Sequence, residues 1–168
     1  HNYKEKIVKY SHSQGIPQLL ESFAKSYQKM GINVKEEDLL ITQGGSEAIM
    51  FVLMAICNEG DNILVPEPFY SNYFNFSKSV GVNINPITTL AENGFHLPDK
   101  EEIISKINDK TKAILFSNPG NPTGVVYTKE ELEMIADIAL EYNLWIIADE
   151  VYREFVYEGK YTSIGTIE

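Results

Sequence analysis

The chain has 168 residues, of which 43% are hydrophobic and 23% are charged. This composition is typical of a globular domain and excludes collagen-like, low-complexity and wholly disordered chains. Asp and Glu outnumber Lys and Arg by 24 to 14, which gives a formal charge of −10 and argues against a nucleic-acid-binding surface or attachment to an anionic membrane. Every apolar run is far shorter than the roughly 18 residues of a membrane-spanning helix, so we expect no span.

Cysteine and histidine usage indicates neither a disulfide nor a metal site. Cys57 is the only cysteine, and it lies in an apolar stretch where a buried structural thiol is expected. The three histidines lack metal-ligand spacing. The chain opens without an apolar leader segment, and together these features predict a cytoplasmic protein.

The first predicted elements are a helix, a strand and a second helix. Apolar residues recur at helical spacing from Ile16 to Met30, with Pro17 in the first turn and Gly31 past the end, which predicts an amphipathic helix. The run Leu-Leu-Ile-Thr at residues 39–42 predicts a short buried strand that leads into a glycine turn. Residues 48–56 are apolar enough to predict a mostly buried helix.

Strands and helices then alternate along the rest of the chain. Strands are predicted at residues 62–65, 82–87, 113–117 and 144–148, and helices at residues 70–79, 98–107 and 129–142. Thr128 and Glu131 form the pattern of a capping box at the start of the last helix. Continuous apolar strands that alternate with helices predict an α/β fold, a three-layer α/β/α arrangement around a mainly parallel sheet.

Ligands of such folds bind beyond the carboxyl ends of the strands, and unusual residues gather there in this sequence. Gly44, Gly45 and Ser46 precede a helix, so their N–H groups and the Ser46 hydroxyl could hold a phosphate. Tight backbone geometry explains two glycines equally well.

Asp149 follows an apolar strand and would reach the same edge, where a carboxylate needs a proton-donating partner such as a protonated ring nitrogen. Capping of the next turn is the alternative. Tyr152 and Asn121 offer hydrogen-bonding groups and Tyr70 offers an aromatic face, although each could equally serve packing. Only their joint position favours a function.

Taken in order, these segments resemble the central part of the large domain of class I/II (fold type I) pyridoxal-phosphate-dependent aminotransferases. The resemblance covers nearly the whole chain and rests on several short motifs: Tyr10 with Gly15-Ile16-Pro17, Gly44-Gly45-Ser46-Glu47-Ala48, Pro66-x-Pro68-x-Tyr70, Asn118-Pro119-x-Asn121-Pro122-Thr123-Gly124 and Asp149-Glu150-Val151-Tyr152. No single motif decides the matter, but the full set in this order is specific.

The resemblance implies pyridoxal 5'-phosphate (PLP) as cofactor and a role for each of these residues. Gly44, Gly45 and Ser46 would hold the phosphate. Tyr70 would stack on the pyridine ring, and Asp149 would pair with the ring nitrogen. Hydrogen bonds from Asn121 and Tyr152 would reach the ring hydroxyl oxygen, while Tyr10 would reach the cofactor of the other subunit in a homodimer.

The resemblance also implies parts that this sequence does not contain. The Schiff-base lysine that should follow Asp149 is missing, and so are two arginines, since Arg153 is the only arginine in the chain. We therefore expect residues 1–168 to be a partial PLP-binding large domain without the N-terminal arm, the lysine segment and the small C-terminal domain. No catalytic residue is expected in this chain, and the chain alone is expected to be inactive.

The resemblance implies transfer of an amino group between an amino acid and a 2-oxo acid, with substrate identity left open. Two alternatives keep the same domain: a PLP-dependent lyase or ACC-synthase-like enzyme, and a non-enzymatic PLP-sensing module of a transcriptional regulator. The second alternative requires a basic DNA-binding module, and nothing in the sequence resembles one.

Overall fold

The structure is a computed structural model that describes residues 10–167. The chain divides into two compact units, His1–Gln43 and Gly44–Glu168. Within the described part of the chain, no helix is long and apolar enough to cross a membrane.

The first unit contains the predicted amphipathic helix, α1, at Pro17–Lys29. Ile16 is its extended N-cap residue, and Pro17 occupies the first turn, where a missing N–H costs nothing. Leu20 and Ala24 are the buried residues of this helix. A single 3₁₀ turn, Glu36–Asp38, follows α1.

The strand predicted at residues 39–42 is wrong. The Ile41 N–H donates to the Gln14 carbonyl at 2.8 Å, and the Gln14 side chain donates to the Leu39 carbonyl at 3.3 Å. These groups are therefore satisfied by the loop ahead of α1, and no described residue offers a strand ladder to them. Leu40 is 52% exposed, so the apolar run is not buried either.

The second unit is built on a four-stranded parallel sheet with strand order β2-β1-β3-β4. The strands are β1 Asn62–Glu67, β2 Asn83–Thr88, β3 Thr111–Ser117 and β4 Trp145–Asp149. The helices are α2 Gly45–Ile56, α3 Asn72–Ser79, α4 Lys100–Ser105 and α5 Lys129–Tyr142. The predicted strands and helices of this unit are all present, and the three-layer α/β fold is confirmed.

Alternate residues of the central strands serve two separate cores. On one face, Ile63 and Leu115 pack with Leu53 of α2 and Tyr73 of α3. On the other face, the neighbouring strand residues pack with α4 and α5; this core comprises Leu64, Ile114, Phe116, Ile103, Leu132, Ile135 and Ile138, among others. The continuous apolar strands follow from burial on both faces.

Helix α2 is less buried than predicted. Ile49 and Leu53 face the core, but Phe51, Val52 and Met54 are 37–63% exposed. The helix is apolar on more than one side, and only the side with Ile49 and Leu53 meets the sheet. Helix α5, in contrast, has the predicted limits.

The capping box of α5 is also present, and it reaches beyond the helix. The Glu131 N–H donates to Thr128 Oγ1 at 3.2 Å, and the Thr128 N–H donates to Glu131 Oε2 at 2.7 Å. The same carboxylate accepts from the Leu97 N–H at 2.8 Å and contacts Nδ1 of His96 at 2.9 Å. Glu131 thus fixes the start of α5 to the loop that precedes α4.

Candidate functional site

The carboxyl ends of β3 and β4 lie side by side. Ser117 is paired with Asp149 in the sheet register, and the Asn118 N–H donates to the Asp149 carbonyl at 3.0 Å. Strand β1 pairs with the other edge of β3 in the same direction. The turns that follow β1, β3 and β4 therefore meet at one edge, as predicted for a ligand site.

Asp149 is fixed at this edge through both of its carboxylate oxygens. Tyr73 Oη donates to Asp149 Oδ2 at 2.7 Å, and the Val151 N–H donates to Asp149 Oδ1 at 3.2 Å. The structure thus presents a half-buried, oriented acceptor at the carboxyl end of β4.

Tyr73 lies in the first turn of α3 and is 1% exposed. Burial, followed by the hydrogen bond and charge of Asp149, raises the pKa of the Tyr73 phenol. The phenol therefore stays protonated and remains a donor to Asp149.

Tyr70 packs beside this pair. Its ring meets the Tyr73 ring edge-on, with 5.6 Å between centroids and 89° between planes. The Asn72 side-chain amide donates to the Tyr70 hydroxyl at 2.7 Å. The ring of Tyr70 is thus oriented from two directions next to the Tyr73–Asp149 hydrogen bond.

The turn after β3 is tightly closed. The Gly120 N–H donates to the Val125 carbonyl at 2.7 Å, and the Gly124 N–H donates to the Gly120 carbonyl at 2.8 Å. A Cβ at Gly120 would lie 2.6 Å from Thr123 Oγ1, so a side chain does not fit there. The buried Asn118 accepts from the Tyr127 N–H at 3.0 Å and anchors the start of the turn.

This turn carries Asn121 into two cavities. One is a small cleft that is lined by Asn121, Tyr73 and Ser117, among others. The other is an open groove that Asn121 shares with Tyr152, which is 40% exposed. Asn121 thus connects the surroundings of the Tyr73–Asp149 pair with those of Tyr152.

Gly44, Gly45 and Ser46 form the exposed start of α2. Only residues 57–61 separate α2 from β1, so the first turn of α2 points toward the carboxyl edge of the sheet. Gly44 has a φ of 101°, which requires glycine, whereas Gly45 is helical and a Cβ there would meet nothing within 4 Å. Backbone geometry therefore explains Gly44 but not Gly45, and open space above a helix N-terminus suits an anion.

Tyr10 is fully exposed and belongs to the first unit. Its contact with another subunit stays a prediction. Within residues 10–167, no cluster of three or more His, Cys, Asp or Glu side chains is placed to hold a metal. Cys57 is half-buried, and burial raises the pKa of its thiol.

Sequence reasoning missed Tyr73. It is one of ten tyrosines, and its partner lies 76 residues further along the chain. One signal was available, because Tyr70 and Tyr73 are three residues apart at the start of a predicted helix and so share a face. Glu150, which contacts Ser163 and Ile164, was missed as well.

Comparison with known proteins identifies the family. The model of the family "Aminotransferase class I and II" matches residues 1–167. The chain belongs to this family. Members of this family use PLP as their cofactor.

Three relatives illustrate the extent of the match. The chain is 36% identical over 161 residues to the aspartate/prephenate aminotransferase of Thermus thermophilus, covering 95% of this chain and 42% of that protein. It is 40% identical over 159 residues to the tyrosine aminotransferase of Dictyostelium discoideum, covering 94% of this chain and 38% of that protein. The structure of the aspartate aminotransferase of Thermotoga maritima superposes with a TM-score of 0.92 at 34% identity, covering 97% of this chain and 44% of the other. The chain thus spans about two fifths of the length of these relatives.

Proposed function

We propose that this chain is the PLP-binding part of an aminotransferase that moves an amino group between an amino acid and a 2-oxo acid. The observation that carries the proposal is the Asp149 carboxylate, which Tyr73 and the Val151 N–H orient at the carboxyl end of β4. An acceptor fixed in this way is suited to a protonated ring nitrogen, and the chain belongs to a family that uses such a ring.

The residues at the sheet edge fit PLP in charge and in space. The first turn of α2 offers N–H donors and the Ser46 hydroxyl to a phosphate, with open space above Gly44 and Gly45. Asp149 offers a negative charge to the ring nitrogen. When bound, PLP supplies an electron sink for the pair released as the substrate Cα–H bond breaks.

The other predicted residues would orient the ring. Tyr70 would lie against its face, since the Tyr70 side chain is already held by Asn72 and Tyr73. Asn121 and Tyr152 would hydrogen-bond its hydroxyl oxygen, which is supported by the groove that they share. Asp149, which accepts a hydrogen bond from Tyr73, would keep the ring nitrogen protonated.

Further parts of the machinery would lie outside this chain. We propose that residues 1–168 are a partial large domain, and that the lysine segment and a small C-terminal domain belong to the full-length protein. We also propose a cytoplasmic homodimer in which Tyr10 reaches the cofactor of the partner subunit. The coverage of about two fifths of the relatives supports only the proposal of a partial large domain.

The proposal is tested by titrating the purified full-length protein with PLP and following visible absorbance. We expect saturable binding, and amino-group transfer when aspartate or tyrosine is offered with 2-oxoglutarate. Asp149→Asn keeps the shape of the side chain but removes its charge, so we expect transfer to fall by about two orders of magnitude or more. A protein that binds no PLP, or an Asp149→Asn variant with unchanged activity, would contradict the proposal.

Gly45→Ala tests the phosphate site separately from folding. The added methyl meets no protein atom, and alanine favours a helix over glycine by up to about 1 kcal/mol, so thermal stability should hold or rise. PLP binding should weaken, because the methyl would occupy the space assigned to the phosphate. Unchanged binding with unchanged stability would place the phosphate elsewhere.

A further inference from the structure

Asp149 ends β4 and Glu150 follows it directly, and their side chains point to opposite faces of the sheet. Asp149 contacts Tyr73, which belongs to the core with α2 and α3. Glu150 contacts Ser163 and Ile164, and Ile164 packs against the core with α4 and α5. The proposed function uses the first carboxylate and leaves the second one unexplained.

The two carboxylates are bound in matching ways. Asp149 accepts from one hydroxyl and one backbone N–H. Glu150 likewise accepts from the Ser163 hydroxyl, at 2.8 Å to Oε1 and 3.0 Å to Oε2, and from the Ile164 N–H at 3.2 Å to Oε1. Hydrogen bonds that involve an ionised group are stronger than those between neutral groups, so this contact is a firm one.

Ser163 is itself fixed. It is 6% exposed, and its hydroxyl accepts from the Gly165 N–H at 3.2 Å while it donates to Glu150. The Thr166 hydroxyl donates to the Ser163 carbonyl at 2.7 Å. The segment that donates to Glu150 is therefore an ordered turn at residues 163–166.

A second contact joins the same segment to the site. The Asn118 side-chain amide lies 3.5 Å from the Thr162 carbonyl, and the Asn118 N–H donates to the Asp149 carbonyl. Residues 162–164 are thus tied to the ends of both β3 and β4. Of these ties, the Glu150 carboxylate supplies the shorter and charged ones.

We propose that Glu150 is a positioning residue: it clamps residues 162–164 against the end of β4 and thereby fixes the backbone that carries Asp149. This inference rests on the proposed function, because its effect is exerted on the carboxylate that would pair with the cofactor ring. Glu150 itself touches no reacting atom. Its hydrogen-bond donors include the Ser163 hydroxyl and the Ile164 N–H, and burial and the Glu150 carboxylate together raise the pKa of the Tyr161 phenol.

The test uses the full-length protein and four new variants, together with Asp149→Asn. Glu150→Ala removes the clamp, Ser163→Ala removes only its hydroxyl, and Glu150→Gln keeps a carbonyl oxygen that can accept one of the hydrogen bonds. Glu101→Ala is the matched control, because Glu101 is an exposed glutamate on α4. The readouts are the dissociation constant for PLP, the visible spectrum of the bound cofactor and the thermal midpoint.

We expect PLP binding to weaken about five- to tenfold in Glu150→Ala and about threefold in Ser163→Ala, since one to two hydrogen bonds are lost. The visible band should change shape in both variants, because the ring nitrogen meets a less well-placed partner. Glu150→Gln should recover at least half of the PLP affinity that Glu150→Ala loses. Glu101→Ala should bind PLP as tightly as the unmodified protein.

A lower thermal midpoint with unchanged PLP binding and an unchanged spectrum would overturn the proposal and leave Glu150 a structural role alone. If Glu150→Ala does not fold, Ser163→Ala decides by the same readouts. Asp149→Asn separates this result from the proposed function. If Asp149→Asn alters PLP binding but Glu150→Ala and Ser163→Ala do not, the positioning role of Glu150 is contradicted and the proposed function stands. If none of the three variants alters PLP binding, the proposed cofactor site is contradicted.

Discussion

Tyr73 donates its phenolic proton to Asp149 at 2.7 Å and so connects the first turn of α3 to the end of β4. Because Tyr73 is 1% exposed, its hydroxyl would be an unsatisfied buried donor without this carboxylate. The hydrogen bond therefore stabilises the fold and orients the candidate cofactor partner at the same time.

Tyr73→Phe should weaken PLP binding about tenfold in the full-length protein, because Asp149 loses one of its two donors. The control is Tyr127→Phe, which removes a hydroxyl from another buried tyrosine that packs against Phe116. Titration followed by visible absorbance measures both. Equal effects of the two substitutions on PLP binding would show that the loss does not depend on the hydrogen bond to Asp149.

Gly120→Ala should destabilise the protein by roughly 1–3 kcal/mol, because the new Cβ would lie 2.6 Å from Thr123 Oγ1 and 2.8 Å from Val125 Cγ1. Gly124→Ala in the same turn is the comparison. Its φ of 75° is unfavourable for alanine, at about 1 kcal/mol, but no atom lies in the way. Urea unfolding measures both, and a larger loss for Gly124→Ala would contradict the close approach at Gly120.

Glu131→Ala should lower the free energy of unfolding by about 1–3 kcal/mol, since the carboxylate accepts from the Thr128 and Leu97 N–H groups and contacts His96. Glu133→Ala provides the control on the same helix. Glu133 forms an exposed ion pair with Lys129, worth less than about 1 kcal/mol. Thermal melts of the two variants should differ clearly, and equal melts would refute the role of Glu131 between α5 and the preceding loop.

We expect Asp61 to stabilise the folded protein at neutral pH and to lose this effect in acid. The Asn58 N–H donates to Asp61 Oδ2 at 2.8 Å, and this hydrogen bond lowers the pKa of Asp61 below its usual 3.8. A depressed folded-state pKa stabilises the protein above the unfolded-state pKa, and this stabilisation is lost as the pH falls through the folded-state pKa. Thermal midpoints measured from pH 6 to pH 2 should therefore fall less steeply in Asp61→Asn than in the unmodified protein, and parallel curves would contradict this.

The elements of the second unit could be predicted because local signals agree there with the tertiary structure. The helix at Lys129–Tyr142 has its apolar face, its capping box and Asn143 in the left-handed conformation at its end. The strand predicted at residues 39–42 fails because an apolar run does not show whether a neighbouring strand exists. That information is tertiary, and here the loop around Gln14 satisfies the backbone instead.

The sequence predicts which residues lie at the edge of the sheet where the candidate site is, but it does not predict the hydrogen bonds between them. Motif positions placed Asp149, Asn121, Tyr152 and Tyr70 at the ends of strands, and the structure has them there. The hydrogen bond from Tyr73 and the contacts of Glu150 depend on side-chain directions across the sheet. Sequence spacing fixes such directions within one element but not between elements that are far apart in the chain.

The register of β4 determines which side chain faces Tyr73, because Asp149 and Glu150 point to opposite faces of the sheet. Because side chains alternate across a strand, a one-residue slip in one direction would bring Glu150 to the position of Asp149 beside Tyr73, and a slip in the other direction would bring Ala148 there. The sheet would still bury apolar side chains on both faces after such a slip, since β4 carries consecutive isoleucines at its centre. We therefore expect a chain with a one-residue deletion or insertion within β4 to fold. In such a chain, Asp149 would no longer lie where it could pair with the nitrogen of the cofactor ring.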